Sequence, residues 1–196
     1  MKVSVVMAVG PDRSHYREAT QSLKSQTMQD FELIIETMPG LAQARNEGFR
    51  AAKAEYVAVM DSDDVSYPTR FEREVEYLDD HPDVSVVGSW GDRIGLREGL
   101  CSPPEKVGLM ALFLWDRVIH TSAMMRKKDV LPFGPYQPVL FEDWDLWIRL
   151  AKAGKKLRNI QEPLVAFRFT EDGHSARVPR AVWYMEQLKQ RLGVLV

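Results

Sequence analysis

The chain has 196 residues, of which 45% are hydrophobic and 28% are charged, and its formal net charge at pH 7 is −2. These values fit one globular domain with a substantial core, and with no basic run they argue against a nucleic-acid partner. The single cysteine, Cys101, cannot form an internal disulfide and is expected to be a packed thiol in a reducing compartment. No apolar stretch approaches the roughly 20 residues that cross a bilayer, and no signal peptide is evident. The sequence therefore predicts a cytoplasmic protein, or one that visits a membrane surface.

Apolar runs alternate with helical patterns through the first 80 residues. The predicted strands cover 3–9, 31–35 and 56–60, and the predicted helices cover 14–26, 41–54 and 68–80. In the second helix Ala44, Gly48 and Ala51 form a face of small residues suited to close packing on a sheet. Successive βα units favour a parallel sheet with right-handed crossovers, and therefore an α/β fold.

The second half of the chain is less regular. A strand is predicted at 84–88, an irregular excursion at 89–106, a helix at 106–114, an outer or antiparallel strand at 119–125 and a loop at 132–138. A helix at 143–153, two short strands at 156–160 and 164–168 and a terminal helix at 180–192 follow. We expect one domain over 1–178 and a C-terminal helical segment over 179–196. The apolar side chains of that helix need a partner surface. A homodimer is our prediction, and packing on the domain or contact with a membrane are the alternatives.

Three carboxylates, Asp61, Asp63 and Asp64, follow the third predicted strand directly, with Ser62 among them. Ligands of open α/β sheets bind beyond the carboxyl ends of the strands. Crowded carboxylates repel one another unless a cation or solvent screens them. Mg²⁺ or Mn²⁺ holding a phosphorylated ligand suits such hard oxygen ligands. The alternative interpretation is a solvated strand-to-helix turn with Asp as an N-cap.

Three further acids, Glu142, Asp143 and Asp145, alternate with large aromatic residues just before a predicted helix. In one interpretation, a carboxylate acts as a general base on a substrate hydroxyl, in a pocket shaped by its apolar neighbours. In the other, the acids occupy a helix N-terminus that the macrodipole favours. Trp144 and Trp147 either stack on sugar rings or belong to the core.

In this order along the chain, the motifs resemble those of the family-2 glycosyltransferases of the GT-A fold. The resemblance covers most of the chain, from residue 3 to about residue 175. Its motifs lie at 25–27, 30–35, 44–46, 48–56, 60–64, 68, 75–78, 120–126, 142–143, 145–147, 149–150 and 162–165. No single motif is decisive, but so many in one order are specific.

The resemblance implies an α/β GT-A fold, with a mixed, mostly parallel sheet and flanking helices. It also implies the inverting, metal-dependent transfer of a sugar from a nucleotide diphosphate to an acceptor hydroxyl. The expected donor is a UDP- or GDP-sugar, the expected cofactor is Mn²⁺ or Mg²⁺, and the expected acceptor is a glycan, a lipid-linked molecule or a protein. A single base and no protein nucleophile suit inversion.

The resemblance also implies roles for individual residues. Asp61 and Asp63 match the DxD motif of the family, which contacts the donor ribose and the metal, and Asp143 matches its catalytic base. The expected donor-binding residues are Ala8, Val9, Glu36, Arg45, Asp61, Ser62 and Asp63. The expected acceptor side holds His120, Glu142 and Trp144, with a structural, hydrogen-bonded His120 as the alternative. The expected metal ligands are Asp63, Asp61 and Asp64, with His174 as a further candidate.

Two departures from the family pattern stand out. About one βα unit is missing after the second strand, and that unit normally supplies an Asp for the nucleobase, so Glu36 is the local substitute. The family often places a His two residues after an Arg near this C-terminal position, whereas here Arg168 is followed by Phe169 and Thr170, and His174 comes later.

Two other functions compete with this one. The residues from Val57 to Val65 locally resemble the opening motif of haloacid-dehalogenase-like phosphatases, in which Asp61 would be a nucleophile and Asp63 a general acid. That family carries the motif on its first strand, whereas two βα units precede it here. The missing unit also suggests a domain that binds a nucleotide sugar without turnover, although a pure binding module has no use for a base at Asp143.

Overall fold

The structure is a computed structural model that describes residues 1–171. Its strands are β1 (Val3–Ala8), β2 (Phe31–Glu36), β3 (Tyr56–Asp61), β4 (Val65–Ser66), β5 (Val84–Gly95), β6 (Gly99–Cys101), β7 (Lys106–Val107), β8 (Met124–Arg126) and β9 (Lys156–Phe169). Its helices are α1 (Tyr16–Lys24), α2 (Leu41–Ala51), α3 (Arg70–Asp80), α4 (Leu109–Leu112), α5 (Lys127–Val130) and α6 (Glu142–Lys152), with 3₁₀ turns at His120–Ser122 and Leu131–Phe133. The predicted helix at 180–192, with its homodimer hypothesis, and His174 lie outside the described residues.

The strands form one mixed sheet in the order β2-β1-β3-β8-β5-β9-β4, with β6 on β5 and β7 on β9. β1 pairs in parallel with β2 and β3, and β5 pairs in parallel with β9. The short strands β4, β6, β7 and β8 pair antiparallel with their neighbours. Within the described residues β2 is an edge strand, as expected if the chain lacks a βα unit after it.

Alternating side chains of the central strand β3 contact two separate cores, one on each face of the sheet. Val57 and Val59 join the core that contains Phe49 of α2 and Trp147 of α6. The intervening side chains of β3 join the other core, formed with α1 and α3. This two-faced burial explains the continuous apolar run of β3, which is typical of a covered strand. No helix within residues 1–171 combines the length and the apolar character needed to cross a membrane.

The predicted elements of the first 80 residues are confirmed, but the second half differs because its strands depend on distant partners. The predicted strands at 156–160 and 164–168 form one strand, β9, in which register shifts of the partner β5 accommodate Pro163. Pairing with β9 extends β5 to Gly95 and pairing with β6 orders the following hairpin, so the excursion predicted at 89–106 is wrong. Only Leu109–Leu112 of the helix predicted at 106–114 is helical.

The strand predicted at 119–125 is also wrong in its first half. His120–Ser122 form a 3₁₀ turn, and only the last residues join the sheet, in β8. The turn is held by Ser122, whose hydroxyl donates to the carbonyl of Ile119 at 2.8 Å and accepts from the amide of Ser89 at 3.0 Å. Local hydrogen bonds of this kind offer the backbone an alternative to a strand, and here the turn brings His120 and Thr121 to the end of β3.

The small-residue face of α2 is confirmed at Gly48, where the helix lies close to β1. A Cβ atom at Gly48 would lie 2.3 Å from Cγ1 of Val6. We expect Gly48→Ala to lower the free energy of unfolding by about 1–2 kcal/mol, because overpacking outweighs the higher helix propensity of alanine. Urea denaturation measures the change. The matched control is Gly10→Ala, whose Cβ would have no atom within 4 Å, and equal stability of the two variants would contradict the close approach.

Candidate active site

A cleft of about 590 Å³ lies at the carboxyl ends of β1 and β3. The helix α2, the loop before His120, the first turn of α6 and the end of β9 complete its walls. The lining residues predicted from the sequence are Ala8, Arg45, Asp61, Ser62, Asp63, Asp64, His120 and Asp143. The two acidic segments, 82 positions apart in the sequence from Asp61 to Asp143, therefore meet in one cavity.

Asp61 is held by cationic and polar partners rather than left to face a ligand alone. Its Oδ1 accepts from Nη2 of Arg45 at 2.7 Å, and its Oδ2 lies 3.3 Å from Nδ1 of His120. Its amide donates to Oγ1 of Thr121 at 3.2 Å. Burial would raise the pKa of Asp61, but the charges of Arg45 and His120 outweigh it and hold that pKa well below its usual value.

Arg45 connects the end of β3 to the start of α6. Its side chain is only 6% exposed, and its Nη1 is in direct contact with Oε1 of Glu142, itself 8% exposed. The guanidinium lies 5.6 Å from the ring centroid of Tyr136, whose hydroxyl lies 3.1 Å from Nε2 of His120. His120 in turn contacts Asp61. Arg45, Asp61, His120 and Tyr136 therefore form a closed ring of contacts. Burial alone would lower the pKa of Arg45, but the carboxylates of Asp61 and Glu142 outweigh that effect and raise the pKa. The guanidinium therefore stays charged.

Asp63 and Asp64 have different surroundings although they are adjacent. Oδ1 of Asp64 accepts from the amide of Arg168 at 2.7 Å, and burial with the charges of Asp61 and Asp63 raises its pKa well above the usual value. The carboxylate of Asp63 lines the cleft and makes no ion pair within residues 1–171. Burial and the charge of Asp61 raise the pKa of Asp63 as well. Asp63 is therefore the carboxylate of this strand end that is available to a ligand.

Asp143 lies in the first turn of α6 and lines the cleft. One of its oxygens accepts from the amide of Trp144 at 2.8 Å, which orients the carboxylate. Phe141, two residues before Asp143, has φ 59° and ψ 53°. This left-handed conformation is an outlier for a bulky side chain. Such strain costs of order 1–3 kcal/mol and concentrates at functional sites. It starts α6 so that Glu142 points to Arg45 and Asp143 to the cleft.

Asp61 and Asp64, two of the predicted metal ligands, have hydrogen-bond partners within the protein. Within residues 1–171 no group of three His, Cys, Asp or Glu side chains is arranged to hold an ion. Arg45 and His120 contact Asp61, and a backbone amide binds Asp64. The charge of Asp61 still raises the pKa of both Asp63 and Asp64. Asp63 is left as a single oxygen ligand facing the cleft.

Several other residues with predicted roles lie outside the cleft or have partners within the protein. Glu36 lies opposite Ala8 in the sheet. It lines neither the cleft nor a second cavity beside it, between the end of β1 and the turn that joins β2 to α2. Arg45 is paired with carboxylates of the protein and is not a free ligand for a nucleotide. Trp144 is 2% exposed and donates to the carbonyl of Leu112 at 2.8 Å, so it belongs to the core, not to the acceptor side.

His120 and Glu142, the other residues predicted on the acceptor side, also have partners within the protein. Each ring nitrogen of His120 has a partner in the ring around Arg45, which supports the structural alternative. Glu142 is buried against Arg45. Asp145, the third acid of its segment, pairs with Arg149 at 2.7 Å. Asp143 is thus the acid of this segment that faces the cleft.

A second cavity of about 460 Å³ adjoins the cleft. It lies between the end of β1 and the turn that joins β2 to α2, and it shares Ala8, Gly10 and Leu41 with the cleft. Val9, predicted to bind the donor, lines this second cavity and not the cleft.

Sequence reasoning missed the residues that loops bring to the cleft. Asp116 accepts from the amide of Val118 at 3.0 Å, and desolvation and the charge of Asp143 raise its pKa. Three arginines, Arg93, Arg97 and Arg117, line the same side. None lies in a recognisable motif, because these segments come together only through the pairing of β5 with β6 and β9.

We expect Arg45→Met to lower the free energy of unfolding by about 3–5 kcal/mol at neutral pH, because it leaves the buried Glu142 and the partly buried Asp61 without their cation. The loss should shrink towards pH 4. In the wild type the depressed pKa of Asp61 contributes stability above 3.8 that is lost on further acidification. In the variant, burial raises the carboxyl pKa values, so protonation relieves the penalty. Urea denaturation from pH 4 to pH 7.5 measures both effects.

The matched control is Arg50→Met on the same helix, where the arginine is exposed and pairs only with Glu47 at the surface. Its effect should stay within about 0.5 kcal/mol at every pH. A loss of stability that is independent of pH in Arg45→Met, or equal in the two variants, would contradict the central role of the Arg45 ion pairs.

Comparisons with known proteins agree with the geometry. The family profile described as Glycosyl transferase family 2 matches residues 12–134. An uncharacterized glycosyltransferase of Haemophilus influenzae is 28% identical over 99% of this chain and 87% of its own length. The amylovoran biosynthesis glycosyltransferase AmsE of Erwinia amylovora is 31% identical over 70% of this chain, which spans 54% of AmsE.

Among solved structures, the chain is similar to the crystal structure of S. aureus TarS 1-349 in complex with UDP-GlcNAc. The TM-score is 0.76 at 16% sequence identity, over 96% of this chain and 65% of that one. This likeness confirms the GT-A fold, with its mixed, mostly parallel sheet and flanking helices. Because the family profile matches more than half of its residues, the chain belongs to glycosyltransferase family 2.

Proposed function

We propose that the protein is a metal-dependent, inverting glycosyltransferase that moves a sugar from a nucleoside diphosphate to an acceptor hydroxyl. The observation that carries the proposal is that two carboxylates of the acidic motifs line the cleft without an ion pair within residues 1–171. Asp63 and Asp143 face one cleft, whereas their neighbours Asp61 and Glu142 are neutralised by Arg45. Two available carboxylates of different surroundings in one cleft suit two roles, one at the donor and one at the acceptor.

Asp63 is suited to hold Mn²⁺ or Mg²⁺ together with the donor diphosphate. Magnesium sites at phosphorylated substrates use one or two carboxylates and complete their shell with phosphate oxygens and water. A single protein oxygen ligand therefore fits such an ion, which when bound would neutralise the charge that develops on the departing diphosphate. Near this position, Nε of Arg168 donates to the carbonyl of Asp63 at 2.9 Å and fixes the loop.

Asp143 is suited to act as the general base. In the proposed reaction its carboxylate takes the proton of the acceptor hydroxyl while the oxygen attacks the anomeric carbon opposite the leaving diphosphate. One displacement without a protein nucleophile inverts the configuration at that carbon. Trp144 fixes the orientation of the base through its amide, and positioning of this kind contributes much of the rate in bimolecular reactions.

The donor is proposed to be a UDP- or GDP-sugar, with its nucleoside in the second cavity. That cavity adjoins the cleft at Ala8 and Leu41, and Met38 and Pro39 give it apolar walls suited to the face of a base. The structural relative TarS, in its crystal, is in complex with UDP-GlcNAc. AmsE takes its name from the biosynthesis of a polysaccharide, amylovoran, so a glycan in polysaccharide assembly is the proposed acceptor class. Family membership excludes the phosphatase alternative.

We expect Asp143→Asn to lower kcat by about 10²–10⁴-fold, because an amide cannot accept the proton. Donor affinity should change by no more than a few-fold. Steady-state transfer assays and calorimetry with the nucleoside diphosphate measure the two quantities. The comparison variant is Asp116→Asn, in the same cleft, which should retain more of the turnover. Near-full transfer by Asp143→Asn would overturn the assignment of the base and leave Asp116 as the carboxylate to test.

We expect Asp63→Asn to abolish the Mn²⁺-dependent part of nucleoside diphosphate binding and leave the fold intact. The pKa of Asp63 is raised above 3.8, so Asp63 takes up its proton at a higher pH than an ordinary aspartate does. As the pH is lowered, metal-dependent binding should therefore weaken at a correspondingly higher pH. Calorimetry with and without chelator, over a series of pH values, measures both effects. The control Asp30→Asn changes an exposed carboxylate just before β2, at the amino ends of the parallel strands and away from the cleft. Equal binding with and without Mn²⁺ in the wild type would overturn metal dependence.

A further inference from the structure

Three arginines form one wall of the cleft, and no function proposed above uses them. Arg93 comes from the end of β5, Arg97 from the turn between β5 and β6, and Arg117 from the loop before the 3₁₀ turn. We call these three residues the arginine wall. Within residues 1–171 none of them makes an ion pair with a carboxylate, whereas Arg45 and Arg168 both do.

Each side chain of the arginine wall is placed by the protein. The guanidinium of Arg93 donates to the carbonyl of Leu100 at 3.0 Å, and that of Arg97 lies 4.8 Å from the ring centroid of Phe169. Nε of Arg117 is buried without a hydrogen-bond partner among the described residues. A buried donor without a partner is costly, and a ligand oxygen would satisfy it.

We propose that the acceptor carries a phosphate group and that the arginine wall binds it. This inference rests on the proposed function and adds the chemical class of its acceptor. Guanidinium groups bind phosphate through paired, charge-assisted hydrogen bonds, and several of them converging on one cavity make an anion site. A neutral glycan acceptor has no group that needs three unpaired cations beside the base.

The arginine wall is assigned to the acceptor side of the cleft because its strand, β5, is not one of the proposed donor elements. The donor elements are β1, with Ala8, and β3, with Asp61 and Asp63 following it. β5 is separated from β3 by β8, which is about 10 Å at the usual spacing of strands. Arg117 adjoins Asp116, and both line the same cleft as Asp143, the proposed base.

Two alternative classes of acceptor carry such a phosphate: a lipid-linked diphosphate and a soluble phosphorylated glycan. Leu96 and Leu100 are 63% and 48% exposed on either side of Arg97. Apolar side chains beside a cationic one suit the junction of an acyl or prenyl chain with its phosphate. The test below therefore separates the phosphate from the alkyl chain.

The experiment first establishes the donor site by calorimetry with UDP, and with GDP if UDP does not bind, in the presence of Mg²⁺. Absence of binding by either would count against the proposed function itself. With that site saturated, the protein is titrated with n-octyl phosphate, inorganic phosphate and the neutral n-octyl β-glucoside. The variants are Arg93→Gln, Arg97→Gln and Arg117→Gln, and the controls are Arg50→Gln and Arg17→Gln, which change exposed arginines outside the cleft.

We expect n-octyl phosphate to bind the wild type and the controls, and each wall variant to bind it about tenfold or more weakly, with unchanged affinity for the nucleoside diphosphate. Circular dichroism verifies that each variant is folded. Stronger binding of n-octyl phosphate than of inorganic phosphate would support the inference with a lipid source, and equal binding would support it with a soluble source. Equal binding of n-octyl phosphate and the glucoside, or a parallel loss of nucleoside diphosphate affinity in the wall variants, would overturn the inference.

Discussion

The buried guanidinium of Arg45 is the constraint on which the site depends. It comes from α2, and its two carboxylate partners come from the end of β3 and the start of α6. Burying a charge costs several kcal/mol unless it is paired and hydrogen-bonded, so the helix, the strand and the second helix have few alternative arrangements. The ring through Tyr136 and His120 adds a second connection between the same elements. Three distant segments are thereby fixed relative to one another.

This arrangement divides six acids of the two motifs by role. Asp61, Glu142 and Asp145 pair with arginine side chains and hold the architecture. Asp64 binds a backbone amide, and Asp63 and Asp143 face the cleft. Within each motif the neutralised acid and the available one are close neighbours, as Asp61 is to Asp63 and Glu142 is to Asp143. The pairing also shapes ionisation, because Asp61 stays charged and raises the pKa of Asp63. A ligand cation beside Asp63 would therefore lower that pKa again and favour its own binding.

The sequence predicted the local elements well and the long-range ones poorly, for a physical reason. A covered strand such as β3 is marked by its own apolar run, and a helix such as α2 by its own spacing. The full length of β5 depends instead on β9, more than 60 residues later in the sequence. The turn at His120–Ser122 depends on a side-chain hydrogen bond to Ser89. Neither partner is apparent from the segment itself.

The candidate site shows the same division. The segments that hold Asp63 and Asp143 were recognised because each forms a compact motif. The orientation of Glu36 is set by its register with Ala8, which no local pattern in the sequence reveals. The sequence likewise shows the crowded acids, but not that Arg45, 16 positions earlier, turns its side chain toward Asp61. The arginine wall belongs to no motif at all.

The strained residue before α6, Phe141, connects the ion pair of Arg45 to the orientation of the proposed base. Phe141 adopts a left-handed conformation that an isolated chain would avoid, and its carbonyl accepts from the amide of Asp145 at 3.0 Å to begin the helix. With an ordinary extended approach, the first turn would start at a different angle and the adjacent side chains of Glu142 and Asp143 would rotate together. One of them must reach the buried Arg45 while the other reaches the cleft. The ion pair with Arg45 therefore holds the strain in place, and the strain in turn aims the proposed base.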